Sequence, residues 1–375
     1  MEVRMEGMLW GSLPEHILDR VLTMLPVKSL FRFRAVCKRW NDFPSSHSFL
    51  DACSSDQPKC CETWLVVTNS HRSFAYNPYS KKLSNLAPPL FQDLWYSDFL
   101  ASSEGLILRA SSSCSPQDGT LQAAASSIHI CNPFTGFVRQ LPQAVGRPCA
   151  AQILMDPSGH RYRIVALCVQ QSDTSQQEEP RRWSLESYNS VGNCWQVLCS
   201  KVPVEIIMQD TISMVVCNEI AYCAIGVRIP FDVWEFHFQT STWYRVGLPA
   251  LPAYARYHLV GCQGRLLLVA RIKEQQHPDA TLIERIHIWQ LEQSKKLWTH
   301  MLEVPDEMLG QMGSRGWALS CCAYGDLLIL IFKDMLWTKI LVYNFTTDQI
   351  HCGPCLYTVL STTEFLFYPR LSALV

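Results

Sequence analysis

The sequence predicts a mainly β protein: a small N-terminal α-helical module followed by a β-propeller of about six blades. Three observations carry this. A short stretch near the N-terminus has helical periodicity and more apolar surface than its length can bury. Beyond Cys53 the chain turns into short β-type runs separated by Asn-Pro, Gly and polar clusters. Those runs repeat as units spaced by roughly 50 residues.

The helical module comes first. Ser12 and Glu15 stand at capping-box spacing, and Pro14 sits where a helix tolerates proline best. Ile17, Leu18, Val21, Leu22 and Leu25 form a broad apolar stripe that Pro26 ends. Val27, Leu30 and Phe31 mark one side of a second helix, and Phe33, Val36, Cys37 and Trp40 continue on another side. So small a module cannot cover its own apolar faces, so it shares them with the propeller or with a partner.

The β region follows. Runs such as "TWLVVT", "GLILRA", "YRIVALCV", "RLLLVARI" and "LLILIF" have strand length and almost no helical segment between them. "SFAYNPYSKKLSNLAPP", "IHICNPFTGFVRQLPQ", "LESYNSVGNCWQVLCSKVP", "VWEFHFQTSTWYRVGLP", "IHIWQLEQSKKLWTHMLEVP" and "ILVYNFTTDQIHCGP" share one plan. A strand ends near Asn or a similar residue, a polar turn follows, and a second strand closes near Pro. Leu83, Trp195, Trp243 and Trp298 are the natural fillers between blades. A two-sheet sandwich is the alternative. Three polar insertions, at "SSSCSPQDGTLQAAASS", "QQSDTSQQEEPRR" and "KEQQHPDA", read as mobile surface loops. The first unit is short, and "EFLFYPRLSAL" is a strand-like run with no unit of its own. Phe365 to Tyr368 is therefore expected to pair in the blade of Trp64 to Thr68 and close the ring.

Composition bounds the rest. The 375 residues are 48% hydrophobic and 11% aromatic, enough for a large core. Lys+Arg of 32 against Asp+Glu of 33 leaves a net charge of -1, so no global field points to nucleic acid or an anionic membrane. The N-terminus lacks the form of a secretory signal, and no run approaches the roughly 18 apolar residues of a membrane span. The 17 cysteines are then expected to be reduced, mostly buried thiols. A single Cys-x-x-Cys, and no two His at helix-turn spacing, argue against a structural metal site; no cofactor is expected. "HCGPC", His351 to Cys355, spells a thioredoxin-type motif, but neither a βα unit nor room for that domain surrounds it. Gly353-Pro354 reads instead as a turn at a blade end.

At the helical module the sequence resembles a known family. "LPEHIL", "LPVKSLFRFRAVCKRW" and the trailing "SFL" are similar to an F-box, the module that docks on the Skp adaptor of cullin-type ubiquitin ligases. Followed by degenerate kelch-type units, it resembles the plant F-box/kelch-repeat proteins. The resemblance implies an F-box over 10–52 and a kelch-like β-propeller over 62–375. It also implies adaptor contacts at Leu13, Pro14, Ile17, Leu18, Leu25, Pro26, Leu30, Val36 and Trp40. The expected role is the non-catalytic substrate-recognition subunit of a Skp–cullin–F-box ligase. Its partners are then the adaptor, through it the cullin scaffold, and a protein substrate held by the propeller. Neither membrane nor nucleic acid contact is expected, and the protein would work in the nucleus, the cytoplasm or both. The alternative is a scaffold or transcriptional cofactor that binds adaptor and partner without promoting ubiquitination.

In a propeller, the crossings from one blade's outer strand to the next blade's inner strand ring the channel mouth. Here those crossings contribute Trp95, Tyr96, Arg147, Tyr254, Arg256, Tyr257, Arg315 and Trp317 as substrate-binding candidates. Trp, Tyr and Arg combine large contact area with directed polar groups. Sealing of the blade junctions is the competing role for the aromatics.

Overall fold

The computed structural model describes residues 14–23, 25, 29, 38, 63–69, 72–86, 98–111, 127–133, 135–156, 161–170, 182–203, 213–225, 232–252, 255–274, 283–312, 318–358, 363–368 and 373. Helix α1, Glu15–Thr23, begins directly after Pro14, whose carbonyl accepts the Ile17 N–H at 3.0 Å. Of the region where the second helix is expected only Ser29 and Lys38 are described, both helical; Ser12 lies outside the described residues.

The β region forms six antiparallel sheets of four strands each. Five are continuous in sequence. In the sixth, here blade 1, the terminal strand Thr363–Phe367 pairs with Trp64–Thr68, from Trp64 opposite Phe367 to Thr68 opposite Thr363. The expected closure is therefore present, with the strand beginning two residues and ending one residue earlier than the sequence suggested. Blades 2 to 6 follow in chain order, and their inner strands begin at Asp98, Arg147, Ser213, Arg256 and Ala318. Each inner strand neighbours the next, and that of blade 6 neighbours Thr363–Phe367, so the ring is complete. A sandwich is excluded.

Local chemistry explains why these strands turn where they do. The hairpin between third and outer strands ends on a left-handed residue in every blade: Lys81, Gly136, Asn193, Ser241, Lys296 and Asp348. Only one of the six is glycine, which is why the glycine signal of the repeats is weak. A non-glycine residue there costs about 1–2 kcal/mol. Side-chain bonds offset part of that cost. Asn77 Oδ1 accepts the Ser80 N–H at 2.8 Å, Asn189 that of Val191 at 2.9 Å, and Asn344 those of Thr346 and Thr347 at 2.8 and 2.9 Å. This is the Asn that recurs in the sequence units.

The apolar core is distributed over the seams between blades. In one seam Leu267, Val269, Ile286 and Ile288 of blade 5 meet Leu328, Leu330 and Leu341 of blade 6. Trp195 and Trp298 bridge seams as expected: their indole N–H groups donate to Pro142 O at 2.9 Å and Gly247 O at 3.1 Å of the preceding blade. Trp243 packs on Phe236, ring centroids 5.1 Å apart, in the seam with blade 3. Leu83 does not fill a seam; it is 44% exposed. A leucine has neither the reach of an indole nor an N–H to anchor it.

One element was not foreseen. Helix α2, Asp306–Met312, lies in the crossing from blade 5 to blade 6 and buries Leu309 and Met312 in their seam. Pro305 precedes it, two acids occupy its first turn, and Lys339 donates to Gln311 O at 3.1 Å at its other end.

Candidate adaptor and substrate surfaces

Chain direction sorts the loops. The crossings into each inner strand and the links between second and third strands open on one face of the ring. The three polar insertions belong to blades 2, 3 and 5 as second-to-third-strand links, so they leave and rejoin the sheets on that face. Their interiors lie outside the described residues.

The crossing into blade 3 shows how such a loop is fixed. Glu186, fully buried, accepts the N–H groups of Val145 and Gly146, both at 3.0 Å, and the Ser184 hydroxyl at 2.7 Å. A Cβ at Gly146 would sit 2.8 Å from Val169 O, so only glycine lets the loop lie this close. Arg147 emerges next and donates to Asp98 Oδ2 of blade 2 at 2.8 Å. Both ends of this ion pair are exposed, so it contributes little to stability, about 0–1 kcal/mol.

Farther round the mouth, Arg256 is exposed and stands directly opposite Arg271. Arg271 is buried and bonds Glu284 at 2.6 Å. Lys333 of blade 6 donates to Glu364 of blade 1 at 2.7 Å. His258 lies between these cations. Its pKa is lowered first by burial and then by the charges of Arg256 and Lys333, while a backbone hydrogen bond at Leu319 opposes the shift. Burial and these charges favour the neutral imidazole, and Arg256 is an exposed cation among the described residues of this sector.

Tyr257 takes part in the junction-sealing role set out as the alternative for these aromatics. It packs half-buried in the seam between blades 4 and 5, and burial, then Asp232, raises its phenol pKa. It seals a junction. Trp95, Tyr96, Tyr254, Arg315 and Trp317 lie outside the described residues.

The sequence reading missed an apolar cluster on the same face. At the second-to-third-strand turn of blade 6, Met335 is 78% exposed, with Leu336 and Trp337 exposed beside it. Asp334 Oδ1 fixes that turn by accepting the N–H groups of Leu336 at 2.8 Å and Trp337 at 2.7 Å. Trp337 meets the exposed Tyr357 edge to face, ring centroids 5.1 Å apart. The legible signal was "KDMLWT", an Asx-turn residue followed by three large apolar residues.

Of the adaptor candidates, Pro14 and Ile17 are exposed, Leu25 is half-buried, and Leu18 lies on the α1 backbone. Leu22, on the same helix, is buried. Leu13, Pro26, Leu30, Val36 and Trp40 lie outside the described residues.

"HCGPC" falls within the outer strand of blade 6, Gln349–Tyr357, and not at a blade-end turn. Cys355 pairs with Lys339 and Cys352 with Leu341, so Gly353 and Pro354 form a bulge opposite Ile340. A Cβ at Gly353 would lie 3.0 Å from Ile340 Cβ, which accounts for the glycine. Cys352 donates to Gln311 Oε1 at 3.1 Å, and burial raises its pKa, the opposite of an activated thiol. Replacing both Cys352 and Cys355 by serine is expected to leave folding and partner capture unchanged. Loss of capture with an unchanged melting curve would restore a chemical role for the pair.

Comparison with known proteins gives two family matches: the F-box domain over residues 10–51, and the KIB1-4 β-propeller over residues 76–320, well over half of the chain. Among Arabidopsis thaliana proteins, the chain is 21% identical to F-box only protein 6, over 92% of this chain and 69% of that one. It is 23% identical to Protein UNUSUAL FLORAL ORGANS, covering 88% and 75% of the two chains. It is 24% identical to an F-box/kelch-repeat protein, covering 83% and 77%.

Proposed function

The chain belongs to the KIB1-4 β-propeller family and carries an F-box domain, and from that premise we propose that it is the substrate-recognition subunit of a Skp–cullin–F-box ubiquitin ligase. The F-box implies docking on a Skp-type adaptor in general. The cullin scaffold and the substrate are the further partners of this reading. The observation that supports it most is one chain carrying an adaptor-docking module and a closed propeller whose crossings and long insertion loops open on the same face.

The mechanism is positional. The receptor breaks no bond itself. It holds a lysine of the bound protein near the charged conjugating enzyme of the ligase and so raises the effective concentration of the two reactants. The rigid ring suits that task, because a floppy holder would spend binding energy on ordering itself. Arg147 and Arg256 on the crossings, together with Arg315 from the sequence, supply directed charge. Met335, Leu336, Trp337 and Tyr357 supply an apolar anchor held by Asp334. In this reading the protein works in the nucleus, the cytoplasm or both; no helix among its described residues is long and apolar enough to cross a membrane.

Reconstitution with adaptor, cullin and conjugating enzyme tests the proposal. Ubiquitin is expected to pass to the protein captured by the propeller. Capture without transfer would favour a scaffold. Changing Arg147, Arg256 and Arg315 together to alanine is expected to weaken substrate capture by about tenfold or more. Adaptor binding and melting should stay near normal, since the Arg147–Asp98 pair is exposed. Undiminished capture by this triple variant would move the binding surface to the insertion loops or to the blade 6 cluster.

A further inference from the structure

We propose that His287 and His300, on blade 5, form a chelating site for a borderline divalent transition cation: Zn²⁺, Ni²⁺ or Cu²⁺. His287 lies on the third strand, Ile283–Glu292, and His300 on the outer strand, Leu297–Glu303. Their separation in sequence hides the pairing, and a bulge creates it. His287 stands opposite Glu303 and Ile288 opposite Leu302, but the register then shifts so that Trp289 faces His300. In an unbroken ladder Met301 would face Trp289, and His300 would point to the other side of the sheet. The bulge re-aims His300 onto the face of His287.

The resulting geometry has the dimensions of a chelate. His287 Nδ1 and His300 Nε2 share a hydrogen bond at 3.1 Å, one ring donating to the other according to its tautomer. Two metal–nitrogen bonds of about 2.05 Å, ending on atoms that far apart, enclose an angle of about 98°. That lies between the octahedral and tetrahedral values. A cation takes the place of the shared proton: when the donor ring moves that proton to its other nitrogen, leaving Nε2–H on His287 and Nδ1–H on His300, both bridging nitrogens can offer a lone pair. The His300 ring is steadied by the edge of Trp289, with centroids 4.8 Å apart and planes at 74°. Both strands are fixed in the blade by their ladders, so little ordering cost remains when a metal binds. Glu303, in register with His287 and bonded to Arg285 at 2.7 Å, adds a carboxylate to the same face. Among the described residues no three His, Cys, Asp or Glu side chains already converge on a metal-sized point. Water fills the remaining positions, which face solvent. Imidazole suits this group of cations, and the Irving–Williams order puts Cu²⁺ first.

The test titrates each chloride salt into the full chain. With the free thiols first capped by alkylation, since exposed Cys149, Cys194, Cys352 and Cys355 would otherwise reduce or bind the metal, one equivalent is expected to bind, with Cu²⁺ tightest, and the electron paramagnetic resonance of the Cu²⁺ form should report two imidazole nitrogens. His287→Asn and His300→Asn should each weaken binding about tenfold or more, given that loss of an outer-shell partner alone weakens sites by about 10–100-fold. His16→Asn, an exposed histidine elsewhere, should change nothing. Wild-type affinity in both variants would overturn the site. So would a resonance with fewer than two imidazoles, a reading that needs no variant to fold.

Discussion

Aspartate in place of both Pro26 and Leu30 is expected to abolish capture of the Skp-type adaptor while leaving the melting of the propeller unchanged. The motive is the mismatch between apolar surface and size in the N-terminal module. On α1 the contrast is visible within two turns: Ile17 is 39% exposed, whereas Leu22 is 4% exposed. One exposed isoleucine is ordinary by itself, but it belongs to a module of about 40 residues whose sequence carries more apolar surface than it can cover alone. Single hot-spot losses reach about 2–4 kcal/mol, which is about 30-fold to 1,000-fold in affinity. Ile17→Asp alone should therefore weaken capture within that range. Leu22→Asp should fail differently, by unfolding the module, because a charge would be buried without a partner. Surface capture with purified adaptor, beside circular dichroism of each variant, separates the two. Wild-type affinity in the Pro26 and Leu30 variant would mean that the module does not dock by its apolar face.

Much of the fold was legible because turn chemistry is local. The recurrent Asn at third-strand ends and the polar residue before each outer strand are turn signals with a mechanism, and both were readable one unit at a time. The ring closure was legible as an accounting problem: one strand too few at the start and one too many at the end. What escaped depends on contacts between distant residues. Helix α2 has only seven residues and takes its stability from Leu309 and Met312 in a seam. Leu83 and Trp195 occupy the same place in the repeat, yet only the tryptophan spans the seam, which the pattern alone does not distinguish. Gly353-Pro354 carried the composition of a turn, and its partner strand made it a bulge. Tyr257 has the residue type of a binding hot spot, and only the structure shows that part of its surface packs in a seam. The Met335 to Trp337 turn was hidden by an opposite bias, since apolar residues after a strand read as more strand.

Removal of the last strand is expected to be the most damaging single change to the β domain. A chain ending at Thr363 loses nearly all of the pairing between Thr363–Phe367 and Trp64–Thr68, and blade 1 loses its inner strand. The damage is not confined to one blade. Phe365 stacks on Phe99 of blade 2, ring centroids 4.8 Å apart, and Ser102 donates to Leu366 O at 2.6 Å. Glu364 holds Lys333 of blade 6, and Ala373 O accepts from Asn132 Nδ2 of blade 2 at 3.2 Å. One strand thus ties three blades. Phe365 and Phe367 are both buried, and removing a buried phenylalanine side chain costs about 3–5 kcal/mol. Two such losses rival the whole net stability of a domain, about 5–15 kcal/mol. The cut also uncovers Trp64–Thr68, an apolar strand buried along its whole length, as a new open edge. Aggregation should accompany the loss of a cooperative melt. A milder variant keeps the prediction quantitative: Phe367→Ala should lower the melting temperature by on the order of 10 °C. If the truncated chain melted like the full one, closure through this strand could not be what holds the ring.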